Sequence, residues 1–492
     1  MQFFFYFCIE NNIKMQLPNE FITQMRTLLG SDRAQRLFDG LSEEPVTAVR
    51  VNSKCGGLAP VQTASRVPWC DRGWILEQRP NFTFDPLFHA GCYYVQEASS
   101  MFLHRVLSTY VDKPVMMLDM CAAPGGKTTV ALDALPRGSM VVCNEPIKLR
   151  AQILAENIQK WGASGVMVTN NYPEQFADTP LLFDVILCDV PCSGEGMFRK
   201  DAEAVAGWSR QRVTQCAQLQ REIVQTIWGQ LRDGGMMIYS TCTFNTLENE
   251  ENVRWIAEEL GAEVLSVPVD ESWQILPSLL PHYDAPVYRF LPGYTKGEGL
   301  FMAVLKKHGE EPCVMDSATV GNMKKESGKA RKNKTGVATD SRQEETVKRW
   351  LKRSDHFVLR TLGDEVMALP HPLADHYDRA MRRGLKVLSA GVPVARIKGR
   401  DLVPHHALAL SGEAASDAFP LVAVDYVTAV DFLRCEAVAL PEGAPKGFVQ
   451  LTYRGVPLGY CKNIGSRANN LYPREWRIKS THIPEETYIF QL

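Results

Sequence analysis

Apolar and polar positions between residues 115 and 260 repeat in the order strand, loop, helix. Short apolar runs predict strands at 115–118, 140–143, 166–169, 183–188 and 236–239. Amphipathic spacing predicts helices at 127–135, 148–161, 211–231 and 248–260. Strands that alternate with helices are typical of a parallel sheet covered on both faces. We therefore expect an α/β fold for this core.

Residues outside this core have mixed patterns. Apolar residues recur at helical spacing over 17–41, and the patterns predict a strand at 47–52 and a helix at 97–110. Short β-like runs occur at 357–361, 365–368, 394–397 and 447–453. Residues 308–345 combine Gly, Ser, Thr, Asn and Lys with few large apolar side chains, as expected of a flexible linker. We expect four parts, with bounds 15–110, 111–307, 308–345 and 346–492.

The composition is that of a globular protein, with 45% hydrophobic and 22% charged residues in a chain of 492. The net charge of −2 does not indicate a nucleic-acid partner, but the local charge does. Seven basic residues and one acid lie between 446 and 479, and six basic residues and no acid lie between 382 and 400. Because salt screens charge beyond about 10 Å, local positive charge is what a phosphate backbone meets.

Thirteen cysteines are present, an odd number, with no Cys-x-x-Cys pair and no closely spaced Cys/His set. This pattern argues against a disulfide framework and a structural zinc site, so we expect a reducing compartment and no metal. No run is long enough to span a membrane, and we expect a cytoplasmic protein. The apolar stretch 1–9 is too short for a membrane span, and Met15 is an alternative start.

Small residues connect the first strand of the core to its first helix. The segment is Asp119-Met120-Cys121-Ala122-Ala123-Pro124-Gly125-Gly126-Lys127-Thr128. Small side chains let a ligand approach the backbone, and the N–H groups of a helix N-terminus point at it. The last three residues also end a phosphate-binding P-loop, but that motif requires glycine at position 121, where this chain has cysteine.

An acid ends the second strand of the core. Glu145 follows the small-residue loop by about twenty residues, where an acid binds ribose hydroxyls in Rossmann-like folds. The chain has no Gly-x-Gly-x-x-Gly motif in this loop, which fits S-adenosylmethionine better than a dinucleotide. The residues therefore favour a methyltransferase over an NTPase.

Two cysteines each follow a predicted strand of the core. Cys192 lies in the segment Asp189-Val-Pro-Cys-Ser-Gly194, and Cys242 in Ser240-Thr-Cys-Thr-Phe244. The carboxyl ends of neighbouring strands line one crevice, and a thiolate beside an acid suits attack on an electron-poor ring carbon. A cysteine at a strand end is also common as a small buried hydrophobic residue. The spacing alone does not choose between the two thiols as nucleophile.

Three motifs together resemble the Nop/Sun family of RNA cytosine-C5 methyltransferases, in particular its RsmF-type enzymes of bacterial 16S ribosomal RNA. The motifs are 120–128, 189–200 and 239–244, the last followed by Glu248-Asn-Glu250. Segments 48–52 and 93–100 resemble the family's N-terminal RNA-binding extension, and 458–460 and 470–477 its PUA-like region. The resemblance implies a Rossmann-like, S-adenosylmethionine-dependent core, preceded by an α+β RNA-binding extension and followed by a PUA-like mixed α/β region.

The resemblance also implies a role for each matching residue. Cys242 corresponds to the nucleophile, Cys192 to a second cysteine that assists product release, and Asp189 to the acid beside base and cofactor. The expected cofactor contacts are Cys121, Ala122, Ala123, Pro124, Gly125, Gly126, Lys127, Glu145 and Asp189. Relatives often carry Asp after the third strand of the core, and here we expect Asn171 to contact the adenine.

Basic residues in two regions are expected to contact RNA. They are Arg199, Lys200, Lys462, Arg467, Arg474 and Arg477. The expected substrate is 16S ribosomal RNA or the small ribosomal subunit, and the protein is expected to be a monomer. The alternative is a non-catalytic RNA-binding factor of ribosome assembly that retains the fold, and the two thiols and Asp189 count against it.

Overall fold

The computed structural model describes residues 16–309, 340–480 and 482–491. The expectations for residues 1–14 and for most of the linker therefore lie outside the described residues. None of the described helices is long and apolar enough to cross a lipid bilayer.

The residues before the core form helices and a small antiparallel sheet. In chain order these elements are α1 (Asn19–Leu29), α2 (Ser31–Leu41), β1 (Thr47–Val51), β2 (Ala59–Pro60), β3 (Ala64–Val67), β4 (Cys70–Leu76), α3 (Pro86–His89), β5 (Tyr93–Val95) and α4 (Phe102–Tyr110). The helical stretch expected at 17–41 is divided at Gly30, whose φ of 77° interrupts the helix. The sheet has the order β3-β4-β1-β5, so the α+β extension is confirmed.

The core alternates strands and helices as expected. In chain order its elements are β6 (Met116–Asp119), α5 (Gly126–Ala134), β7 (Met140–Asn144), α6 (Lys148–Trp161), β8 (Val166–Thr169), α7 (Pro173–Ala177), β9 (Phe183–Asp189), α8 (Ala202–Ala206), α9 (Arg210–Trp228), β10 (Leu231–Thr241), α10 (Glu250–Glu259), β11 (Ala262–Leu265), β12 (Val287–Phe290) and β13 (Leu300–Lys307). The predicted strands lie within these bounds or exceed them by one residue, because buried apolar runs mark strands well.

The described residues after the linker, 340–480 and 482–491, are called the C-terminal half below. They combine short strands with helices. In chain order its elements are α11 (Ser341–Trp350), β14 (Phe357–Leu362), β15 (Glu365–Pro370), α12 (His371–Arg382), β16 (Val387–Ala390), β17 (Val392–Lys398), β18 (Asp401–Pro404), α13 (His406–Leu410), β19 (Leu421–Ala423), α14 (Tyr426–Leu433), β20 (Gly447–Tyr453), β21 (Val456–Asn463), β22 (Ala468–Asn470) and β23 (Phe490–Gln491). Helix α11 begins inside the expected linker, because Asp340 and Gln343 form a capping box at its start.

One nine-stranded sheet runs through the core. Its order is β11-β13-β10-β9-β6-β7-β8-β16, with β12 paired to β13. Strands β10, β9, β6, β7 and β8 are parallel, and β13 runs antiparallel to β10. All residues of β6, β7 and β8 are buried, as expected of strands covered on both faces. The predicted Rossmann-like α/β core is confirmed.

The C-terminal half does not stand apart from the core. Two of its sheets, β14-β15-β17-β18 and β19-β20-β21-β22, are separate, but β16 pairs with β8 in the core sheet. Helix α12 packs Leu373 and Tyr377 into the same apolar cluster as Met167 and Phe176 of the core. The terminal strand β23 pairs with β2 of the extension. The expected boundary at residue 346 therefore does not separate two independent packing units.

Candidate active site

Cys192 and Cys242 lie in adjacent loops at the carboxyl ends of β9 and β10. The two strands are parallel neighbours, with Asp189 opposite Ser240. The chain therefore leaves both strands at the same edge of the sheet. The two Sγ atoms are 3.2 Å apart. The structure thus brings together the two thiols that the sequence predicted to share a crevice.

Backbone and hydroxyl contacts join the two loops. The Gly196 N–H donates to the Cys242 carbonyl oxygen at 2.7 Å. The hydroxyl oxygens of Ser193 and Thr243 are 2.8 Å apart. Each contact links the β9 loop to the β10 loop. These contacts, and not only the two cysteine side chains, therefore set the separation of the sulfur atoms.

Two fully buried carboxylates support these loops, and the sequence analysis assigned neither of them a role. Glu248 accepts hydrogen bonds from the Ser193 N–H at 2.9 Å and from the Gln220 side chain at 2.8 Å. Glu195 accepts from the Asn245 N–H at 3.1 Å and from the Asn245 side chain at 3.2 Å. Burial and the nearby Glu195 raise the pKa of Glu248 to about 6. The motif Glu248-Asn-Glu250 is part of the family resemblance, but the sequence did not indicate the contact of Glu248 with Ser193.

Burial and the contact with Cys242 affect the protonation of Cys192. The hydrogen bond to Cys242, and then burial, raise the pKa of Cys192 well above its usual value. Cys192 therefore keeps its proton at neutral pH and can donate it to the Cys242 sulfur. Burial lowers the pKa of Lys127, but Asp189 and Cys242 outweigh it and leave the pKa above the ordinary value. The Cys242 sulfur thus has a thiol donor beside it, and the Lys127 ammonium places positive charge at the same edge of the sheet.

Asp189 is held in place by two hydrogen bonds and remains reachable. The Lys127 ammonium donates to Asp189 Oδ2 at 2.8 Å, and the Ser240 hydroxyl donates to Oδ1 at 2.7 Å. The Asp189 side chain is 29% exposed. Its carboxylate oxygens can therefore accept further hydrogen bonds from a ligand. Lys127, which a P-loop would direct at a phosphate, is directed at this acid instead.

The small-residue loop lies at the same edge of the sheet. The Ala122 N–H donates to the Asn144 carbonyl at 2.8 Å, and the Gly125 N–H donates to the Ala122 carbonyl at 2.7 Å. Gly125 has a φ of 112°, which is open to glycine and strained for other residues. The loop leads into α5, whose N-terminal turn contains Lys127. The contact of Lys127 with Asp189 places the loop beside the thiol pair.

The acids around this loop fit a cationic, nucleoside-type cofactor. Glu145 is buried and accepts the Ile147 N–H at 3.0 Å. Asp119 is fully buried, and its Oδ1 has no hydrogen-bond partner among the described residues. Burial, with the nearby Asp189 and Glu145, raises the pKa of Asp119 to about 7. A ligand with ribose hydroxyls and a positive sulfonium would satisfy these acids, so the residues fit S-adenosylmethionine.

The Asn171 side chain, expected at the adenine, is paired within the protein. Its side chain is buried, and its carboxamide is used by the backbone of Lys386. Oδ1 accepts the Lys386 N–H at 2.9 Å, and Nδ2 donates to the Lys386 carbonyl at 3.2 Å. The expectation that Asn171 contacts the adenine stays a prediction. The sequence could not reveal the contact with Lys386, because the two residues are 215 positions apart.

Arg199 is a buried structural residue, and the expectation that it contacts RNA is wrong. Its side chain is 3% exposed, and its Nε donates to Glu298 at 2.8 Å. Its other nitrogen atoms donate to the carbonyls of Gly297 at 2.6 Å and Gly40 at 3.1 Å. Lys200 Nζ lies 3.4 Å from Glu298 on a half-buried side chain, so it is also paired within the protein.

The basic residues expected to contact RNA in the C-terminal half are exposed. They are Lys462, Arg467, Arg474 and Arg477. The ammonium of Lys462 lies 5.2 Å from the centre of the Phe448 ring. The tyrosines interleaved with these residues are buried in the core of this region. They are Tyr453, Tyr460 and Tyr472. The positive charge is therefore available to a ligand, whereas these tyrosine rings are not.

Within residues 16–309, 340–480 and 482–491, one group of side chains combines metal-ligand types at close range. It consists of Cys70, Asp71 and His104, whose ligand atoms lie within 4.8 Å of one another. The sequence gave no sign of it, because His104 is distant from the other two in the chain. The Asp71 side chain is 75% exposed. The expectation that the protein needs no metal stays a prediction.

Three family models match different parts of the chain. Residues 109–306 match the family described as 16S rRNA methyltransferase RsmB/F. Residues 17–98 match the N-terminal domain of 16S rRNA methyltransferase RsmF, and residues 419–478 match the methyltransferase RsmF PUA domain.

Similar proteins cover almost the whole chain. Ribosomal RNA small subunit methyltransferase F of Enterobacter sp. (strain 638) is 31% identical over 482 residues, which are 93% of this chain and 95% of that protein. The protein of the same name from Escherichia coli (strain K12) is 31% identical over 481 residues, 93% of this chain and 96% of that protein. The solved structure of a methyltransferase homolog from Pyrococcus horikoshii has the same fold, with a TM-score of 0.51, 24% identity and coverage of 60% of this chain and 96% of that one.

Proposed function

The chain belongs to the RsmB/F family of 16S rRNA methyltransferases, and on that premise we propose that it methylates C5 of cytosine in small-subunit ribosomal RNA. It is an RNA cytosine-C5 methyltransferase, and its cofactor is S-adenosylmethionine. One observation carries the assignment of the reaction to particular residues. The sulfur atoms of Cys192 and Cys242 are 3.2 Å apart, beside Asp189 and the small-residue loop.

The chemistry at cytosine C5 explains why a thiolate is needed. C5 is too weak a nucleophile to accept a methyl group unless a nucleophile first adds to C6. We assign this addition to Cys242, whose Sγ forms the bond to C6. The Cys192 sulfur lies 3.2 Å from Cys242 Sγ as a hydrogen-bond partner, and the Lys127 ammonium adds positive charge to the same crevice.

Asp189 is assigned to the base. Addition of sulfur to C6 places negative charge on the ring at N3, and a proton donor or a shared proton at that edge stabilises it. Asp189 is held by Lys127 and Ser240. One carboxylate oxygen accepts an N–H of the cytosine N4 amine, and the proton released by the Cys242 thiol is shared between Asp189 and N3, where it balances the negative charge. Its fixed position orients the ring so that C6 faces Cys242.

Cys192 is assigned to the second half of the reaction. After methyl transfer a base, water in the crevice, takes the proton at C5, the C5–C6 double bond re-forms, and the bond between Cys242 Sγ and C6 breaks with its electron pair returning to sulfur. Cys192 is the thiol nearest to the Cys242 sulfur, at 3.2 Å, and we assign it the donation of a proton to that departing sulfur. The release step is therefore the step most sensitive to Cys192.

We assign the cofactor to the residues that follow β6 and β7, at the same edge of the sheet as the thiols that follow β9 and β10. S-adenosylmethionine supplies the methyl group at its sulfonium sulfur. The backbone of residues 121–127 and the carboxylate of Glu145 would hold it, and Asp119 would lie beside its positive charge. The exposed residues Lys462, Arg467, Arg474 and Arg477 would hold RNA phosphates, since local positive charge dominates such binding.

A transfer assay tests the proposed function. Purified protein is incubated with S-adenosylmethionine tritiated in the methyl group and with unmodified 16S ribosomal RNA, either free or in the small subunit. We expect tritium in RNA, located at cytosine by bisulfite sequencing. RNA binding without any transfer would instead support the non-catalytic assembly factor.

Three expectations on the protein's state stay predictions. We propose a monomer that acts in the cytoplasm and needs no metal. Light scattering after gel filtration tests the first, and transfer activity after dialysis against a chelator tests the last.

A further inference from the structure

Strand β16 belongs by sequence to the C-terminal half but completes the core sheet. It pairs antiparallel with β8, with Val387 opposite Thr169 and Ala390 opposite Met167. The carboxyl end of β8 is the edge at which nucleoside-type ligands bind in such sheets. The start of β16 is therefore adjacent to the cofactor side of the crevice.

Lys386, the residue before β16, makes four hydrogen bonds to the two asparagines that follow β8. Its carbonyl accepts the Asn170 N–H at 2.9 Å and the Asn171 Nδ2 at 3.2 Å. Its N–H donates to Asn171 Oδ1 at 2.9 Å, and its ammonium donates to Asn170 Oδ1 at 2.6 Å. One residue of the C-terminal half thus determines the orientation of both carboxamides.

Asn170 connects Lys386 to the loop that carries Glu145. Its Nδ2 donates to the carbonyl of Glu145 at 2.8 Å and to the carbonyl of Pro146 at 2.8 Å. Because the Lys386 ammonium occupies Oδ1, the amide face of Asn170 is directed at these two carbonyls. The chain of contacts runs from Lys386 through Asn170 to the acid expected at the ribose.

We propose that Lys386 is a positioning residue of the S-adenosylmethionine site. Through Asn170 it holds the loop of Glu145 in the conformation that accepts the cofactor. The C-terminal half then has a part in cofactor binding, in addition to the RNA contacts of its exposed basic residues. This inference rests on S-adenosylmethionine as the cofactor and deepens the proposed function.

The side chain of Lys386 is suited to a test because it is exposed, whereas its backbone is part of the sheet. Lys386→Met removes the ammonium and keeps the backbone bonds. We expect the Kd for S-adenosylhomocysteine, measured by calorimetry on the full chain, to rise about tenfold, the usual loss for a hydrogen bond to a charged group. Lys398→Met, at an exposed lysine of β17, is the control and should leave the Kd unchanged.

A double-mutant cycle separates this role from a general structural one. Asn170→Ala should raise the same Kd by about tenfold or more, and Lys386→Met should add nothing in that background. In Lys386→Met the KM for S-adenosylmethionine should rise while the KM for RNA stays at the wild-type value. Wild-type Kd in Lys386→Met, or independent effects of the two substitutions, would overturn the inference.

These measurements distinguish a failure of the inference about Lys386 from a failure of the proposed function. A wild-type protein that binds S-adenosylhomocysteine but transfers no methyl group would contradict the proposed reaction and leave the role of Lys386 open to the same measurement. If the wild-type protein transfers methyl groups and Lys386→Met has the wild-type Kd and KM, only the inference about Lys386 is contradicted.

Discussion

Arg199 and Lys462 carry the same charge but lie in opposite surroundings. Arg199 is 3% exposed and paired with Glu298, whereas Lys462 is exposed on β21. A buried charge stabilises the fold only while its partner is present, and an exposed charge is free to meet a phosphate. Sequence position alone predicted the same role for both.

Arg199→Ala is expected to lower the free energy of unfolding and to leave RNA recognition unchanged. Removal of one partner of a buried ion pair costs about 3–5 kcal/mol, because the other charge stays buried and unpaired. Urea denaturation measures this loss. Lys462→Ala, the matched control, should keep the stability and reduce the slope of log affinity against log salt by about 1. If Arg199→Ala kept the wild-type free energy of unfolding and had a flatter slope of log RNA affinity against log salt, Arg199 would be an RNA contact, as the sequence predicted.

The pH dependence of stability should depend on Asp119. Burial and neighbouring acids raise its pKa from 3.8 to about 7 in the folded protein, so the folded state holds a proton that the unfolded state has released. The free energy of unfolding should therefore fall as pH rises from about 4 to 7, by on the order of 1 kcal/mol per pH unit. Glu248, with a pKa of about 6, contributes in the same direction.

Asp119→Asn checks this expectation. The variant should flatten the decline between about pH 4 and 7, in denaturant unfolding at a series of pH values. Glu259→Gln, at an exposed position of α10, should retain the wild-type profile. A wild-type profile in Asp119→Asn would contradict the raised pKa.

At the scale of single residues, the sequence predicted what lies at strand ends and missed what depends on packing. Cys192, Cys242 and Asp189 follow apolar runs, and parallel strands necessarily bring such positions together. The contact between Asn171 and Lys386 joins residues that no local pattern connects.

The loops after β9 and β10 act as one element of the site. Gly196 lies against the Cys242 loop, and a Cβ built there would be 2.6 Å from the Cys242 carbonyl oxygen and 3.2 Å from that of Glu298. Both neighbours are backbone atoms, so they can yield only if a loop moves. A side chain at position 196 would therefore displace a loop and change the distance between the two thiols.

Gly196→Ala is expected to reduce kcat by about a hundredfold, since a displacement near 1 Å of a reacting group has that effect. The Kd for S-adenosylhomocysteine should stay near the wild-type value, because the cofactor loop is a different segment. Gly229→Ala is the control, since a Cβ there meets nothing within 4 Å. Wild-type kcat in Gly196→Ala would show that the two loops tolerate more movement than their contacts indicate.

At the scale of elements, the core was predictable and its edge was not. The buried runs of β6 to β9 and the amphipathic α6 are long enough to be recognised without tertiary information. Strand β16 follows a helix of another region, and its pairing with β8 depends on the packing of α12 against the core. The break at Gly30 also escaped notice, because the apolar spacing continues across it.

At the scale of the whole molecule, the catalytic core and the C-terminal half share one apolar cluster. Met167 and Phe176 of the core pack with Leu373, Tyr377 and Val387 from beyond the linker. Local positive charge predicted only RNA contacts for the C-terminal half. The shared cluster makes it part of the structural support of the core as well.

A fragment that ends at residue 309 is therefore expected not to fold into a stable core. Removal of α12 and β16 exposes the apolar faces they cover and leaves β8 as a bare edge strand, which promotes aggregation. Gel filtration and dye binding to exposed apolar surface check this outcome. A monomeric fragment that binds S-adenosylhomocysteine as tightly as the full chain would contradict it and the role of Lys386 together.

In the proposed reaction Cys242 forms the bond to the cytosine, and Cys192 is needed to release it. A denaturing gel of each cysteine variant, after incubation with substrate RNA and S-adenosylmethionine, tests both roles. We expect a slow-migrating protein–RNA band for Cys192→Ala and none for Cys242→Ala, which should also transfer no methyl group. A trapped band in Cys242→Ala and none in Cys192→Ala would reverse the two roles.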